Sequence, residues 1–347
     1  MKKVAVIGAV VGGVSAYPAC ADGVSCFTIT PADKPDLTFD CSYVSSTLST
    51  TNGFVYHMHG NDGPQSKAMF ADTMLQLADV GFSSLACDGR GYSPGAAPND
   101  YNAYHYDALQ SDIFSIVDES KYSADFNGKF HLVAHDQGAR VAWHSVAMGE
   151  GRKRFLSLTS LSIPHSDVFS NALLSASSDA DQQQASQYVR QLVLPDSVTF
   201  DTGEIEQTVC AGQYASVEDC QKTLWWYNGA IDSGAMALAP MMAYNSGSIA
   251  ASIGIPEDKV EEGTQYPLEG VAQSTFVGNV TEFPVFYGCG DQDSCDLCKQ
   301  AFSDESEALV QDYSYLGLPA CGHDVLGCAE SQSYIDKIIA NIQKAYA

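Results

Sequence analysis

The chain has 347 residues, 45% of them apolar and 17% charged, and a formal net charge of −25. That apolar content suffices for a globular core and excludes a disordered tail or a coiled coil. The acidic excess argues against nucleic acid or anionic membrane surfaces as partners, because phosphates would find few cations to neutralise them.

In chain order, MKKVAVIGAVVGGVSAYPACA places two lysines before an apolar stretch from Val4 to Ala16 and ends on Ala19-Cys20-Ala21. This is the pattern of a secretory leader, residues 1–21, with cleavage expected after Ala21. VAVIGAVVGG also resembles the opening of a dinucleotide-binding turn, but Val10 stands where a glycine is needed and no strand–helix–strand unit follows. Eleven cysteines become ten when Cys20 leaves with the leader, and an even count in an oxidising compartment predicts disulfides. Cys210 and Cys220 are spaced to close a short loop, Cys26 and Cys41 flank an N-terminal hairpin, and Cys87, inside a core strand, is the expected free thiol. Cys295-Asp296-Leu297-Cys298 lacks the second CxxC or the His pair of a zinc site and reads as disulfide material. No later stretch reaches 18 uncharged apolar residues, so no membrane span is expected. Asn279-Val280-Thr281 is a glycosylation sequon.

Short apolar strands then alternate with helical patterns. Phe54–Met58 ends in His59-Gly60, Ser84–Cys87 in Asp88-Gly89-Arg90-Gly91, Phe130–Ala134 at Asp136, and Leu158–Ile163 at Pro164. Between them, Lys67–Gly81 and Tyr104–Asp118 carry apolar residues at helical spacing. This alternation predicts an α/β fold, a mostly parallel sheet with helices on both faces. From Ser166 to Gly278 the chain turns rich in Ser, Ala, Gln and Gly, with helical patches at Gln183–Leu192 and Thr223–Ala230. The α/β rhythm resumes at Phe283–Gly288 and Tyr313–Leu318, and a last helix stripes Ile335, Ile338, Ile339, Ile342 and Tyr346. The expected organisation is a first core part over 22–165, a helical cap over 166–278 and a second core part over 279–347.

Sites in parallel sheets form at the carboxyl ends of the strands, where each polar punctuation lies. Ala134-His135-Asp136-Gln137-Gly138 fits the strand–turn–helix elbow that presents a nucleophile between small residues, here an aspartate. Its competing role is a helix N-cap, for which Asp is well suited. A later strand ends in Gly288-Cys289-Gly290-Asp291, and the final strand is followed by Cys321-Gly322-His323-Asp324. Nucleophile, acid and histidine thus come in the chain order of α/β-hydrolases, with Asp291 as the expected acid and Asp293 its competitor. Disulfides among Cys289, Cys295, Cys298, Cys321 and Cys328 are expected to crosslink the two loops and hold acid against base.

With Asp88-Gly89-Arg90-Gly91-Tyr92-Ser93-Pro94-Gly95 added, the chain from Phe54 to its C-terminus resembles epoxide hydrolases of the α/β-hydrolase superfamily. The resemblance implies that Tyr188 and Tyr227, the latter in Leu224-Trp225-Trp226-Tyr227, hold the epoxide oxygen from the cap. It further implies that the backbone N–H groups of Asn61 and Gln137 form an oxyanion hole. Two positions depart from the family: His59-Gly60-Asn61-Asp62 lacks a proline, and Gln137 stands where tryptophan is usual. His135-Asp136-Gln137-Gly138-Ala139-Arg140 is also similar to haloacetate dehalogenases, in which an arginine at this place grips a carboxylate; an ion pair is the competing role for Arg140. The expected activity is hydrolysis of a small apolar epoxide to a diol through an ester on Asp136. No metal and no organic cofactor are expected. The rival readings are a dehalogenase using the same aspartate and a non-catalytic binding protein, and the oligomeric state is left open.

Overall fold

The structure is a computed structural model and describes residues 20–49, 51–61, 66–123, 126–174, 179–186, 189, 216–233 and 276–346. Tyr188, Cys210, Asp62 and the leader up to residue 19 lie outside the described residues.

Among the described residues, the strands are β1 (Ser25–Ile29), β2 (Phe39–Val44), β3 (Gly53–Met58), β4 (Phe82–Cys87), β5 (Phe130–His135), β6 (Phe155–Leu161), β7 (Val285–Gly290) and β8 (Tyr313–Leu318). They form one sheet in the order β1-β2-β4-β3-β5-β6-β7-β8. Only the N-terminal edge is antiparallel, β1 on β2 and β2 on β4. From β4 through β3, β5, β6 and β7 to β8 every pairing is parallel.

Strands β3, β4, β5 and β7 are buried along their whole length, as near-continuous apolar runs must be when helices cover both faces. Alternation along a strand sends Phe54, Tyr56, Phe130 and Leu132 into one core and Val55 and Val133 into the other. Helices α2 (Tyr106–Glu119) and α3 (Gln137–Ala147) supply Leu109, Ile113, Ile116, Val141 and Val146 to the first core. Helix α1 (Ala71–Asp79) closes the second with Met74 and Leu77. The helix expected over Lys67–Gly81 is divided into a 3-10 turn at Ser66–Phe70 and α1, and the left-handed Gly81 (φ +97°) follows it.

After α3 come a short α4 (Glu150–Arg154) and β6, then the described helices of the insertion: α5 (Ser166–Leu174), α6 (Ala180–Ala185) and α7 (Val217–Asp232). The chain returns to the same sheet at β7, followed by α8 (Gln300–Leu309), β8 and α9 (Ser331–Lys344), whose Tyr334, Ile335, Ile338 and Ile342 are buried. No helix among the described residues is long and apolar enough to cross a membrane.

The cysteine expectations need correction. Cys87 is not free. It is bonded to Cys41, because β2 lies beside β4 with these two residues in register, their Cα atoms 4.0 Å apart. Cys26 is therefore not Cys41's partner; it is bonded to Cys20, the residue assigned to the leader. Cys289–Cys298 and Cys321–Cys328 each staple their own loop and do not crosslink the two. Cys220 is disulfide-bonded, and Cys295 is the free thiol among the described residues.

Candidate active site

The turn from β5 into α3 is as tight as the sequence predicts. Asp136 has φ +48° and ψ −122°, a region that costs a non-glycine residue about 1–3 kcal/mol and persists only when its surroundings enforce it. The enforcement is close packing of the His59-Gly60-Asn61 loop on the turn. A Cβ at Gly138 would run into the His59 carbonyl and come within 2.6 Å of the Met58 carbonyl oxygen, and one at Gly60 would strike the Asp136 side chain. The Asp136 side chain makes no N-cap hydrogen bond to α3, which removes the structural alternative for this residue. Its carboxylate instead faces two other elements. The Asn61 N–H donates to Oδ2 at 2.8 Å, and Oδ1 lies 3.6 Å from His323 Nε2.

His323 is half-buried in the loop between β8 and α9. Its Nδ1 donates to Asp293 Oδ2 at 2.7 Å. The carboxylate that reaches the histidine therefore belongs to Asp293, not to Asp291 as expected from sequence. The reason is the turn after β7: the Asp291 N–H goes to Leu318 and the Asp293 N–H back to Gly290, so Asp291 is left exposed while Asp293 swings inward and is buried. Asp293 Oδ1 also accepts the N–H groups of Cys295 (2.8 Å) and Asp296 (3.0 Å), so this carboxylate organises its own loop. The His323 carbonyl accepts from Ser162 Oγ at 2.8 Å and His135 Nε2 at 2.9 Å, which fixes the histidine from beneath.

The electrostatics follow from this geometry. Burial pushes the Asp136 carboxyl up, but the hydrogen bond and charge of His323, helped by the Asn61 N–H, outweigh it and hold the group well below the usual carboxylate range. Burial pulls His323 down, and its bonds to Asp136 and Asp293 more than reverse this, raising it well above 6.5.

Tyr227, on α7, is buried and brought over the same loop, its hydroxyl 3.4 Å from Asn61 Nδ2. Tyr92 donates to the other side of that amide at 2.6 Å, so Asn61 is held at both ends. Helix α7 is docked by Trp226, whose indole N–H donates to the Arg90 carbonyl at 2.7 Å and whose ring stacks on His59. His59 Nε2 accepts the Gly89 N–H at 2.8 Å, which leaves the ring hydrogen on Nδ1, donated to the Gly60 carbonyl. Arg90 binds Asp112 through two N–H groups at 2.8 and 2.7 Å, and Asp88 is buried against Lys67. The Asp88–Gly95 segment thus serves as the seat on which loop and cap helix meet.

Gln137, the first residue of α3, has a backbone N–H with no intrahelical acceptor, and its side chain accepts the Tyr106 hydroxyl. Tyr188 lies outside the described residues, so its placement rests on the sequence alone. Sequence reasoning missed Asp296. Its carboxylate, 1% exposed, pairs with Arg140 Nη2 at 2.7 Å, and Arg140 is 4% exposed with Phe169 stacked 4.4 Å from its Cζ. The ion-pair alternative for Arg140 was a signal that a buried acid partner exists; Asp296 sat unremarked inside the CxxC. Ligand atoms of Asp136, Asp296 and His323 lie within 4.8 Å of one another, but the Arg140 guanidinium on one carboxylate and the Asn61 N–H on the other oppose a bound cation.

The strand order and the strand–turn–helix elbow are those of the α/β-hydrolase fold. No family model matches the chain. It is 27% identical over 141 residues to the AB hydrolase superfamily protein YfhM of Bacillus subtilis, covering 37% of this chain and 45% of that protein. It is 26% identical over 155 residues to an epoxide hydrolase of Caballeronia sordidicola, covering 45% of this chain and 39% of that one. The chain thus spans less than half the length of these curated relatives. Among solved structures, an α/β-hydrolase-superfamily epoxide hydrolase from hot-environment metagenomes superposes with a TM-score of 0.62 at 18% identity, covering 93% of this chain and 98% of that one. The chain is an α/β-hydrolase-fold protein similar in sequence to epoxide hydrolases.

Proposed function

We propose that this protein hydrolyses small apolar epoxides to diols through a covalent ester on Asp136. The observation that carries the reading is the Asp136 carboxylate itself: freed from capping, one oxygen held by the Asn61 N–H and the other directed toward His323. Oδ1 attacks an epoxide carbon, the carbon–oxygen bond breaks, and the departing alkoxide takes a proton from Tyr227, with Tyr188 the second donor. Ester formation removes the Asp136 charge that raises His323. The histidine then becomes available as a base at neutral pH, held in orientation by Asp293. It removes a proton from water, the hydroxide attacks Asp136 Cγ, and Oδ2 becomes an oxyanion facing the N–H groups of Asn61 and Gln137. The tetrahedral intermediate collapses with cleavage of Cγ–Oδ1: Oδ1 leaves in the diol with the proton of the added hydroxyl, His323 returns its proton to the Tyr227 oxygen, and water's oxygen stays on the Asp136 carboxylate.

Arg140 favours epoxides over haloacetates, because its guanidinium is already neutralised by Asp296 and a second carboxylate would compete with that bond. Retention of nucleophile, acid and histidine in contact disfavours a non-catalytic binding protein. We also infer export: the disulfides belong in an oxidising compartment, and processing ahead of Cys20 would preserve its bond to Cys26. N-terminal sequencing of protein from the medium tests this.

The catalytic reading is tested by a single turnover on an aryl epoxide in heavy-oxygen water. Label is expected in the peptide containing Asp136, with the first diol carrying an enzyme oxygen. Label in the first diol with none on that peptide would overturn the ester mechanism. Parallel incubations with a haloacetate and an ester separate the rival substrates.

A further inference from the structure

The mechanism above uses Asp136, Asp293 and His323 and gives Asp296 no task. Yet Asp296 is placed beside the reacting atoms. The Cys289–Cys298 disulfide closes its loop, its N–H is bonded to the triad acid, and its Oδ1 is taken by Arg140. Its Oδ2 is buried and has no hydrogen-bond partner among the described residues. A buried carboxylate oxygen without a donor is costly, and the ion pair with Arg140 accounts for Oδ1 but leaves Oδ2 without a partner.

The spacing indicates what this carboxylate faces. An oxygen of Asp296, an oxygen of Asp136 and a ring nitrogen of His323 all lie within 4.8 Å of one another. Two hydrogen bonds of about 2.8 Å meeting at a tetrahedral oxygen span about 4.6 Å. Atoms no more than 4.8 Å apart are within reach of a single bridging water, and Asp136 borders the same space. His323 Nδ1 is committed to Asp293, so Nε2 is the nitrogen available to such a water.

We propose that Asp296 is a positioning residue for the second half of the reaction: its Oδ2 accepts one hydrogen of the hydrolytic water while His323 Nε2 accepts the other. With both hydrogens directed, a lone pair of the water oxygen points at Asp136 Cγ. The proton moves to His323, the new carbon–oxygen bond forms at Cγ, and the ester carbon–oxygen bond breaks; Asp296 keeps its charge throughout. Burial, with Asp293 and Asp136 nearby, lifts the Asp296 carboxyl to about 6, against the pull of Arg140 and His323; the guanidinium on Oδ1 favours the carboxylate form that can act as acceptor. Cys295, Tyr106 and Tyr287 are the other titratable groups that feel its charge.

The proposal rests on the ester reading, and the test separates the two. Asp296→Asn keeps the shape. Arg140 can only donate, so it retains the amide oxygen and the NH2 takes the place of Oδ2, offering hydrogens where an acceptor is needed. Followed by intact mass in single turnovers of an aryl epoxide, adduct formation on Asp136 is expected within about twofold of wild type, and adduct breakdown slowed on the order of 10²-fold. Arg140→Met combined with Asp296→Leu removes the buried pair as a unit, avoids an unpaired charge, and is expected to stall at the same step. Breakdown at the wild-type rate in either folded variant, or formation and breakdown slowed equally, overturns the proposal while leaving the ester mechanism intact. Absence of any adduct in both wild type and His323→Gln overturns the ester mechanism and the proposal with it.

Discussion

Two turns at the carboxyl edge of the sheet each present a buried acid to His323, and they are built in opposite ways. The β5–α3 turn holds Asp136 by steric exclusion: glycines at 60 and 138 let backbone press on backbone, and the aspartate adopts a left-handed conformation with no side-chain cap. The β7 loop holds Asp293 by a web of polar and covalent links: two N–H groups on one carboxylate oxygen, a disulfide across the loop, and the Arg140–Asp296 pair beside it. A sterically defined turn leaves a local signature, small residues at fixed offsets from the nucleophile. A web-defined loop leaves only its constituents, and several acids compete for the same role.

The comparison can be broken at either turn. Asp136→Ala is expected to abolish the ester and lower turnover on the order of 10⁴-fold or more, read by steady-state kinetics and by loss of the adduct. Near-normal turnover would return Asp136 to a purely structural role. Asp293→Asn comes next, with a loss of about 10³-fold in kcat, since His323 loses the carboxylate that orients its Nδ1–H. Adduct formation should suffer less than adduct breakdown, because breakdown is the step that needs a base.

Gly138→Ala tests the steric side. The added methyl must push the 58–60 backbone away, at a cost of about 1–3 kcal/mol in urea unfolding. The Asn61 N–H would move with it, so activity should fall more than stability alone explains. Removing the covalent side, Cys289→Ser with Cys298→Ser, is expected to cost about 2–3 kcal/mol of stability with a several-fold fall in kcat and the elbow chemistry retained. An unchanged midpoint would show that the polar web suffices to hold the loop. Asp291→Asn is the smallest effect, within about twofold of wild type, because that side chain is exposed and His323 Nδ1 is taken by Asp293. A loss like that of Asp293→Asn would reverse the assignment of the acid.

Legibility in the sequence followed the same division. The strands β3, β4, β5 and β7 and the elbow are readable, since burial on both faces demands apolar runs and the turn demands small flanks. The bond of Cys87 is not legible in the sequence because its partner Cys41 is remote along the chain and becomes its neighbour only when β2 pairs with β4. Asp296 is not legible as a site residue because its partner Arg140 lies 156 positions away and meets it only in the folded chain.

By itself, the sequence determined the α/β rhythm, the aspartate elbow at Asp136 and the chain order of Asp136, the acids after β7 and His323, consequences of local periodicity and local sterics; the place of Asn61 at the elbow came from the family resemblance. The tertiary structure decided between Asp291 and Asp293, matched Cys41 with Cys87 and Cys20 with Cys26, and set Asp296 against Arg140 at the edge of the site. Those choices depend on which of several equivalent side chains a turn points inward, and that direction is fixed by contacts with residues up to 156 positions away in the chain.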